Sequence, residues 1–176
     1  PLPALRDCVK KGDLGDFNVL PSSIMPNCGK TTLTLKSDAP NSSSLDGGVR
    51  VQNNNLNDLD SDFLYHLGFS SSQDLEGIFG DVKFFCCGGA ASRMEIFANQ
   101  VANELSEEFE EYRKPYGLKP SVIGDTKRYA IFKVGPVLIS SHGMGMPSMS
   151  ILLHEVTKML HYSKATDVTY FRLGSS

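Results

Sequence analysis

Two hydrophobic rhythms alternate along the second half of this chain. The run Val82-Lys83-Phe84-Phe85-Cys86-Cys87 is almost continuously apolar and is closed by Gly88-Gly89, which predicts a buried strand. Beyond it Phe97, Val101, Leu105 and Phe109 recur every fourth residue with Met94 on the same side, the spacing of a helix from Arg93 to about Tyr112. Ser92-Arg93-Met94-Glu95 reads as its capping box, with Ser92 as N-cap and Arg93 in the first helical position. Lys114-Pro115 and Gly117 close the helix. The stretches Arg128 to Val134 and Val137 to Ser140 read as two strands around the turn Gly135-Pro136. A flexible loop, Ser141 to Met146, leads to Pro147 at a favourable first helical position. The helix that follows runs to about Tyr162 and buries Ile151, Leu152, Val156, Met159 and Leu160. A last strand spans Asp167 to Leu173. Strands alternating with helices predict an α/β fold with a mixed or parallel sheet.

The first part of the chain lacks both rhythms. Lys36 to Gly48 (KSDAPNSSSLDGG) cannot bury enough apolar surface to offset its ordering entropy. Residues 1–48 are therefore expected to be a disordered tail, with a regulatory or docking segment as the alternative reading. Order is expected from near Val51, and residues 49–176 form the domain. Within Asp58 to Gly68, Phe63, Leu64 and Leu67 make a short apolar cluster enclosing Tyr65 and His66.

Composition narrows the partners. With 176 residues the chain suits one domain, and a net charge of -3 argues against a nucleic-acid coat. An anion must then be held by a few placed arginines. Cys8, Cys28, Cys86 and Cys87 form no C-x-x-C pair and have no histidines at zinc spacing, so a reduced, cytoplasmic protein is expected. Cys86 and Cys87 should face opposite sides of their strand. No apolar run approaches the about 20 residues of a membrane helix.

Three arginines stand out at strand ends. Gly88-Gly89 followed by a helix start gathers N–H groups and the positive helix end at one point, and Arg93 adds a charged fork. The same segment reads equally as a tight strand-to-helix turn with a surface arginine. Arg172 sits inside an apolar strand, where arginine is seldom buried without a partner; an anion at the strand's carboxyl end would supply one. Arg128 by itself reads as an exposed residue at a strand start. The glycine spacing matches neither the dinucleotide fingerprint nor a Walker loop. His154 and His161, seven apart, share a helix face and read as solvent or partner contacts. Lys158 stands where a zincin motif needs its second histidine. His142 adjoins the glycine loop and reads as orienting it, and His66 as a loop histidine.

In combination these runs resemble the nucleoside phosphorylase superfamily, and within it the animal-type uridine phosphorylases. The resemblance rests on Phe63-Leu64-Tyr65-His66, Gly80 to Phe84, Gly88-Gly89-x-x-Ser92-Arg93-Met94, Arg128-Tyr129-Ala130, Lys133 to Leu138, Ser141-His142-Gly143-Met144-Gly145-x-Pro147-Ser148, Leu153-His154-Glu155 and Arg172-x-Gly174. It covers roughly residues 49 to 176.

The resemblance implies a mixed-sheet nucleoside phosphorylase-like α/β fold, truncated at its C-terminal half. It also implies the residue roles. Gly89, Arg93 and Arg172 would hold phosphate, joined by Ser175 where the family usually has threonine. Arg128 would reach the phosphate of a neighbouring subunit, and His66 would cross the same dimer interface toward the ribose. Met144 would pack on the sugar. Ala91 stands where proline is usual. The implied reaction is reversible phosphorolysis of uridine to uracil and ribose 1-phosphate, with inorganic phosphate as co-substrate and neither metal nor organic cofactor. A purine-type phosphorylase and a non-catalytic phosphate-binding homologue are the alternatives. Because the family's base-reading residues lie downstream of the final strand, this chain by itself is expected to be inactive.

Overall fold

Phe84–Gly88 is buried at every position, as a nearly continuous apolar strand must be when both its faces are covered. The structure is a computed structural model and describes residues 47–108, 121–123 and 128–174. In chain order its elements are a 3-10 turn (Asn54–Asp58), β1 (Phe63–Leu64), β2 (Phe69–Ser70), α1 (Leu75–Phe79), β3 (Phe84–Gly88), α2 (Ala91–Glu108), β4 (Ser121–Val122), β5 (Ile131–Val134), β6 (Val137–Ser141), α3 (Met146–Tyr162) and β7 (Thr169–Leu173). β1 and β2 form a small antiparallel pair. The main sheet has the order β4-β5-β6-β3-β7. β3 runs parallel to β6 and β7, whereas β5 is antiparallel to β6 and β4. The sheet is mixed, as the alternation of elements predicts.

Side-chain alternation along β3 divides the core in two. Phe85 and Cys87 join Leu138, Phe79 and the inner face of α3, Leu152, Val156, Met159 and Leu160. Phe84 and Cys86 join Ile139 and the inner face of α2, Met94, Phe97, Val101 and Leu105. The two cysteines therefore face opposite layers, as expected. Ala98 and Ala102 in α2 are also buried.

Several boundaries differ from the sequence reading for local reasons. β3 starts at Phe84 rather than Val82, because the Val82 N–H is bonded back to the Phe79 carbonyl in the turn that follows α1. β7 starts at Thr169 because Asp167 adopts a left-handed backbone with φ 55°. Arg128 lies three residues before β5, outside the strand it was expected to open. Phe63 does not join the buried cluster: it is 61% exposed while Leu64 and Leu67 are buried. Gly48 pairs with Thr166, and Val49 donates to the Ala165 carbonyl, which ties the start of the described chain to the segment between α3 and β7. The expectations for residues 1–46, for Phe109 and for the helix stop at 114–117 lie outside the described residues.

Candidate active site

The parallel register sets three strand ends side by side, with Gly88 between Ser141 of β6 and Leu173 of β7. Pairing continues past the strands: the His142 N–H donates to the Gly88 carbonyl at 2.7 Å and the Gly143 N–H to that of Gly89 at 3.0 Å. The turn into α2 and the loop into α3 are thereby held against each other. A methyl group placed on Gly89 would lie 3.5 Å from Arg93 Nη2, 3.6 Å from the Gly143 oxygen and 4.0 Å from His142 Cε1. Arg93, His142 and the Gly143 loop thus converge on the face of Gly89. Arg172 is the cross-strand partner of Cys87 on the same edge, and its charge acts on both Cys87 and His142. Ligands of open α/β sheets bind at this carboxyl edge.

The expected capping box does not form. α2 begins at Ala91, and Met94 N–H donates to the Ala90 carbonyl at 3.2 Å, which makes Ala90 the cap. Alanine has no side-chain acceptor, so the first-turn N–H groups are not consumed by a serine hydroxyl. Arg93 moves from the first to the third helical position. This correction favours an anion site, since the unbonded N–H groups and the helix dipole remain directed at the turn.

Arg172 also needs correcting. It is exposed, because β7 is the outer strand of the sheet as described and pairs with β3 alone. The argument from a buried arginine therefore falls, although the residue stands where the sequence reading placed it. His142 is the reverse case. It is only 6% exposed, and neither ring nitrogen has a hydrogen-bond partner among the described residues. Burial, reinforced by the positive charge of Arg172, holds its pKa below the ordinary histidine value.

Arg128 and His66 occupy a second group, arranged around Tyr129. Arg128 Nη2 donates to Ser148 Oγ at 3.2 Å, and its guanidinium lies 5.5 Å from the centre of the Tyr129 ring. Tyr129 in turn donates to the Ser148 carbonyl at 2.8 Å. The His66 ring lies 6.3 Å from that of Tyr129. Glu155 secures His66, meeting Nδ1 at 2.5 Å and accepting the backbone N–H groups of His66 at 2.9 Å and Leu67 at 3.1 Å. Sequence reasoning assigned Glu155 and Ser148 no role. A signal for Glu155 existed: Leu152, Glu155, Val156 and Met159 follow helical i, i+3, i+4, i+7 spacing, which puts a carboxylate on the inward face. Met144 is 93% exposed on the loop before α3, and Ser175 lies outside the described residues. Among the described residues no group of three or more His, Cys, Asp or Glu could hold a metal ion. No described helix is long and apolar enough to cross a membrane.

A mixed sheet covered by helices on both faces, with a glycine turn where its central parallel strand ends, defines a nucleoside phosphorylase-like α/β fold. No family model matches the chain. Uridine phosphorylase 2 of Homo sapiens is 46% identical over 130 residues, covering 73% of this chain and 39% of that protein. A protein named inactive uridine phosphorylase B, from Schistosoma mansoni, is 38% identical over 130 residues, 72% of this chain and 40% of its own length. Among solved structures, a uridine phosphorylase of the oomycete Phytophthora capsici superposes with TM-score 0.63 at 50% identity, covering 72% of this chain and 42% of the other. The Schistosoma mansoni uridine phosphorylase in complex with uracil gives TM-score 0.59 at 40% identity, covering 69% of this chain and 40% of the other. Over the matched stretch the chain is a homologue of the uridine phosphorylases, and it spans about two fifths of the length of these relatives.

Proposed function

We propose that this chain carries the phosphate subsite of a uridine phosphorylase, and that the protein catalyses reversible phosphorolysis of uridine. The observation that carries the reading is the turn at Gly89. There an uncapped helix start, the Arg93 guanidinium and the His142 loop meet, with Arg172 on the same sheet edge. A phosphate oxygen attacks C1′ of the ribose while the bond from C1′ to the base nitrogen breaks. The bonding electrons leave with the base, which takes up a proton; the products are uracil and ribose 1-phosphate. Arg93, Arg172 and the N–H groups beside Gly89 align the nucleophile and bind its charge, with Ser175 as a further ligand and Met144 against the sugar. Positioning and electrostatics then supply most of the acceleration. The reaction proceeds without metal or organic cofactor, in the cytoplasm.

Arg128 and His66 serve a second subunit in this proposal, within a homodimer. Phe63 and Tyr65, which stand 61% and 73% exposed beside His66, support it. The relative named as inactive keeps a second reading in play, a homologue that binds phosphate without turnover. The experiment is to incubate the protein, as its native gene encodes it, with uridine and phosphate and to quantify uracil and ribose 1-phosphate. Phosphate-dependent uracil release supports the enzyme. Phosphate binding without turnover favours the non-catalytic homologue, and release of base from inosine instead would assign a purine-type enzyme.

A further inference from the structure

The phosphate reading assigns no task to His142, yet its ring is the least accounted-for polar group in the site. It is 6% exposed, and both ring nitrogens lie without a hydrogen-bond partner among the described residues. A buried polar group in that condition is destabilising unless something satisfies it. The backbone of Gly143 and of His142 itself lies near the ring, at a geometry short of a hydrogen bond. The residue's backbone is nonetheless firmly placed, because the His142 main-chain N–H donates to the Gly88 carbonyl and that of Gly143 to the Gly89 carbonyl. Cε1, the atom between the two nitrogens, approaches to 4.0 Å the same point over Gly89 that Arg93 Nη2 approaches to 3.5 Å.

The charges around this ring fix its protonation state. Arg93 converges on the same point and Arg172 acts from β7, both cationic; Cys87, on the central strand, is a thiol pushed up to about 11 by burial. No carboxylate is paired with the ring among the described residues. An imidazole so placed is neutral, with one nitrogen that donates and one that only accepts. The guanidiniums and helix N–H groups can satisfy any oxyanion, since all of them donate. The acceptor nitrogen of a neutral histidine is different: it needs an O–H.

We propose that His142 is a ligand of the bound anion that selects a protonated oxyanion, hydrogenphosphate, over an unprotonated one of the same size and charge such as sulfate. The inference rests on the phosphate-site reading above. At neutral pH every phosphate species retains at least one O–H, whereas sulfate has none and would face the acceptor lone pair with oxygen. A hydrogen bond made to one anion and replaced by repulsion for the other is worth about tenfold or more in affinity.

The test compares inorganic phosphate and sulfate by calorimetric titration at neutral pH, in the wild-type protein as its native gene encodes it and in His142→Phe, with unfolding midpoints recorded for both. The expected result is a wild-type preference for phosphate of about tenfold or more that collapses toward unity in H142F, chiefly through weaker phosphate binding. Equal affinities in the wild type, or a preference unchanged in H142F, would overturn the assignment and leave the phosphate site standing. Failure of the wild type to bind either anion would overturn the phosphate-site reading itself. Should H142F not fold, nitrogen NMR of the ring in wild-type protein decides: a phosphate-induced shift of the acceptor nitrogen absent with sulfate supports the inference, and identical responses sink it.

Discussion

Adjacent glycines in the β3–α2 turn should behave oppositely on substitution. A methyl on Gly89 meets its neighbours at 3.5, 3.6 and 4.0 Å, ordinary van der Waals contacts, and Gly89 is not among the residues of positive φ. Gly89→Ala should therefore leave stability within about 1 kcal/mol, since a compatible alanine also lowers the entropy of the unfolded chain. The methyl would nevertheless occupy the point on which Arg93, His142 and the Gly143 loop converge, where an oxyanion must come to about 2.9 Å from the turn's N–H groups. A tenfold loss of phosphate affinity is the minimum expected, about 1.4 kcal/mol. Denaturant titration reads both quantities. At phosphate one hundred times the wild-type dissociation constant, ligand stabilisation should fall from about 2.7 to about 1.4 kcal/mol in G89A. On Gly88 the added carbon would come within 2.5 Å of Met94 Cε, 2.8 Å of its sulfur and 3.2 Å of the Leu173 oxygen. Met94 is flexible but buried, so Gly88→Ala should cost about 1–3 kcal/mol with or without phosphate. If G89A kept full phosphate stabilisation, or lost stability without ligand as G88A does, Gly89 would be a packing residue and the anion site would be misplaced.

Three further outcomes are expected. Glu155→Ala strands the N–H groups of His66 and Leu67 together with His66 Nδ1; with partial access to water the cost should be about 2 kcal/mol, and Glu155→Gln, which retains one acceptor oxygen, should cost less than half of that, both read from chemical denaturation. A loss within experimental error in the alanine variant would mean that Glu155 does not anchor the loop. Asp62 is subject to opposing influences: burial raises its pKa, but hydrogen bonds from Lys158 and Tyr162 outweigh it and hold the carboxyl below its usual 3.8. Its stabilisation is then complete at neutral pH and disappears as pH falls through the carboxylate range, so the drop in denaturation midpoint between about pH 5 and pH 3 should be shallower in Asp62→Asn; identical acid limbs would contradict the pairing. Burial pushes the Cys86 thiol up to about 12 and that of Cys87 up to about 11, the latter against the lowering effect of Arg172. Both should alkylate at pH 8 at least roughly a hundredfold more slowly than a free thiol, and peptide mapping that found either labelled at the free-thiol rate would show that β3 is not the closed central strand.

The sequence revealed this molecule where information is local. β3, α2, the β5–β6 turn and α3 each carry a hydrophobic period or a glycine break within one short window, and each starts within a few residues of its expected place. Failures arose where the deciding partner lies far away in the chain. Ser92-x-x-Glu95 satisfies a capping pattern, but the pairing of His142 with Gly88 and of Gly143 with Gly89 fixes the turn so that the helix starts earlier, at Ala91. The apolar neighbours of Arg172 suggested burial, whereas exposure at that position depends on the strand's place in the sheet order. The unpartnered ring of His142 was illegible for the same reason. Its surroundings come from β3, the start of α2 and β7, and no window of sequence contains them.

One element ties the two groups of candidate site residues together. α3 follows the His142–Gly145 loop directly, receives Arg128 and Tyr129 on Ser148 in its first turn, and holds His66 through Glu155 two turns later. Its start is set by Gly145, whose φ of 84° is open to glycine at little cost and whose lack of a side chain leaves the cap without a side-chain hydrogen bond. The bond to Ser148 engages one of the five guanidinium donors of Arg128. Tyr129, buried and bonded to the Ser148 carbonyl, fixes the backbone from which that fork projects. A displacement of α3 would therefore move the histidine loop at the Gly89 site and the arginine and histidine of the second group together. That coupling is what a proposed dimer with shared sites would require of one helix, and it follows from the contacts of Ser148 and Glu155 rather than from any property of the arginines themselves.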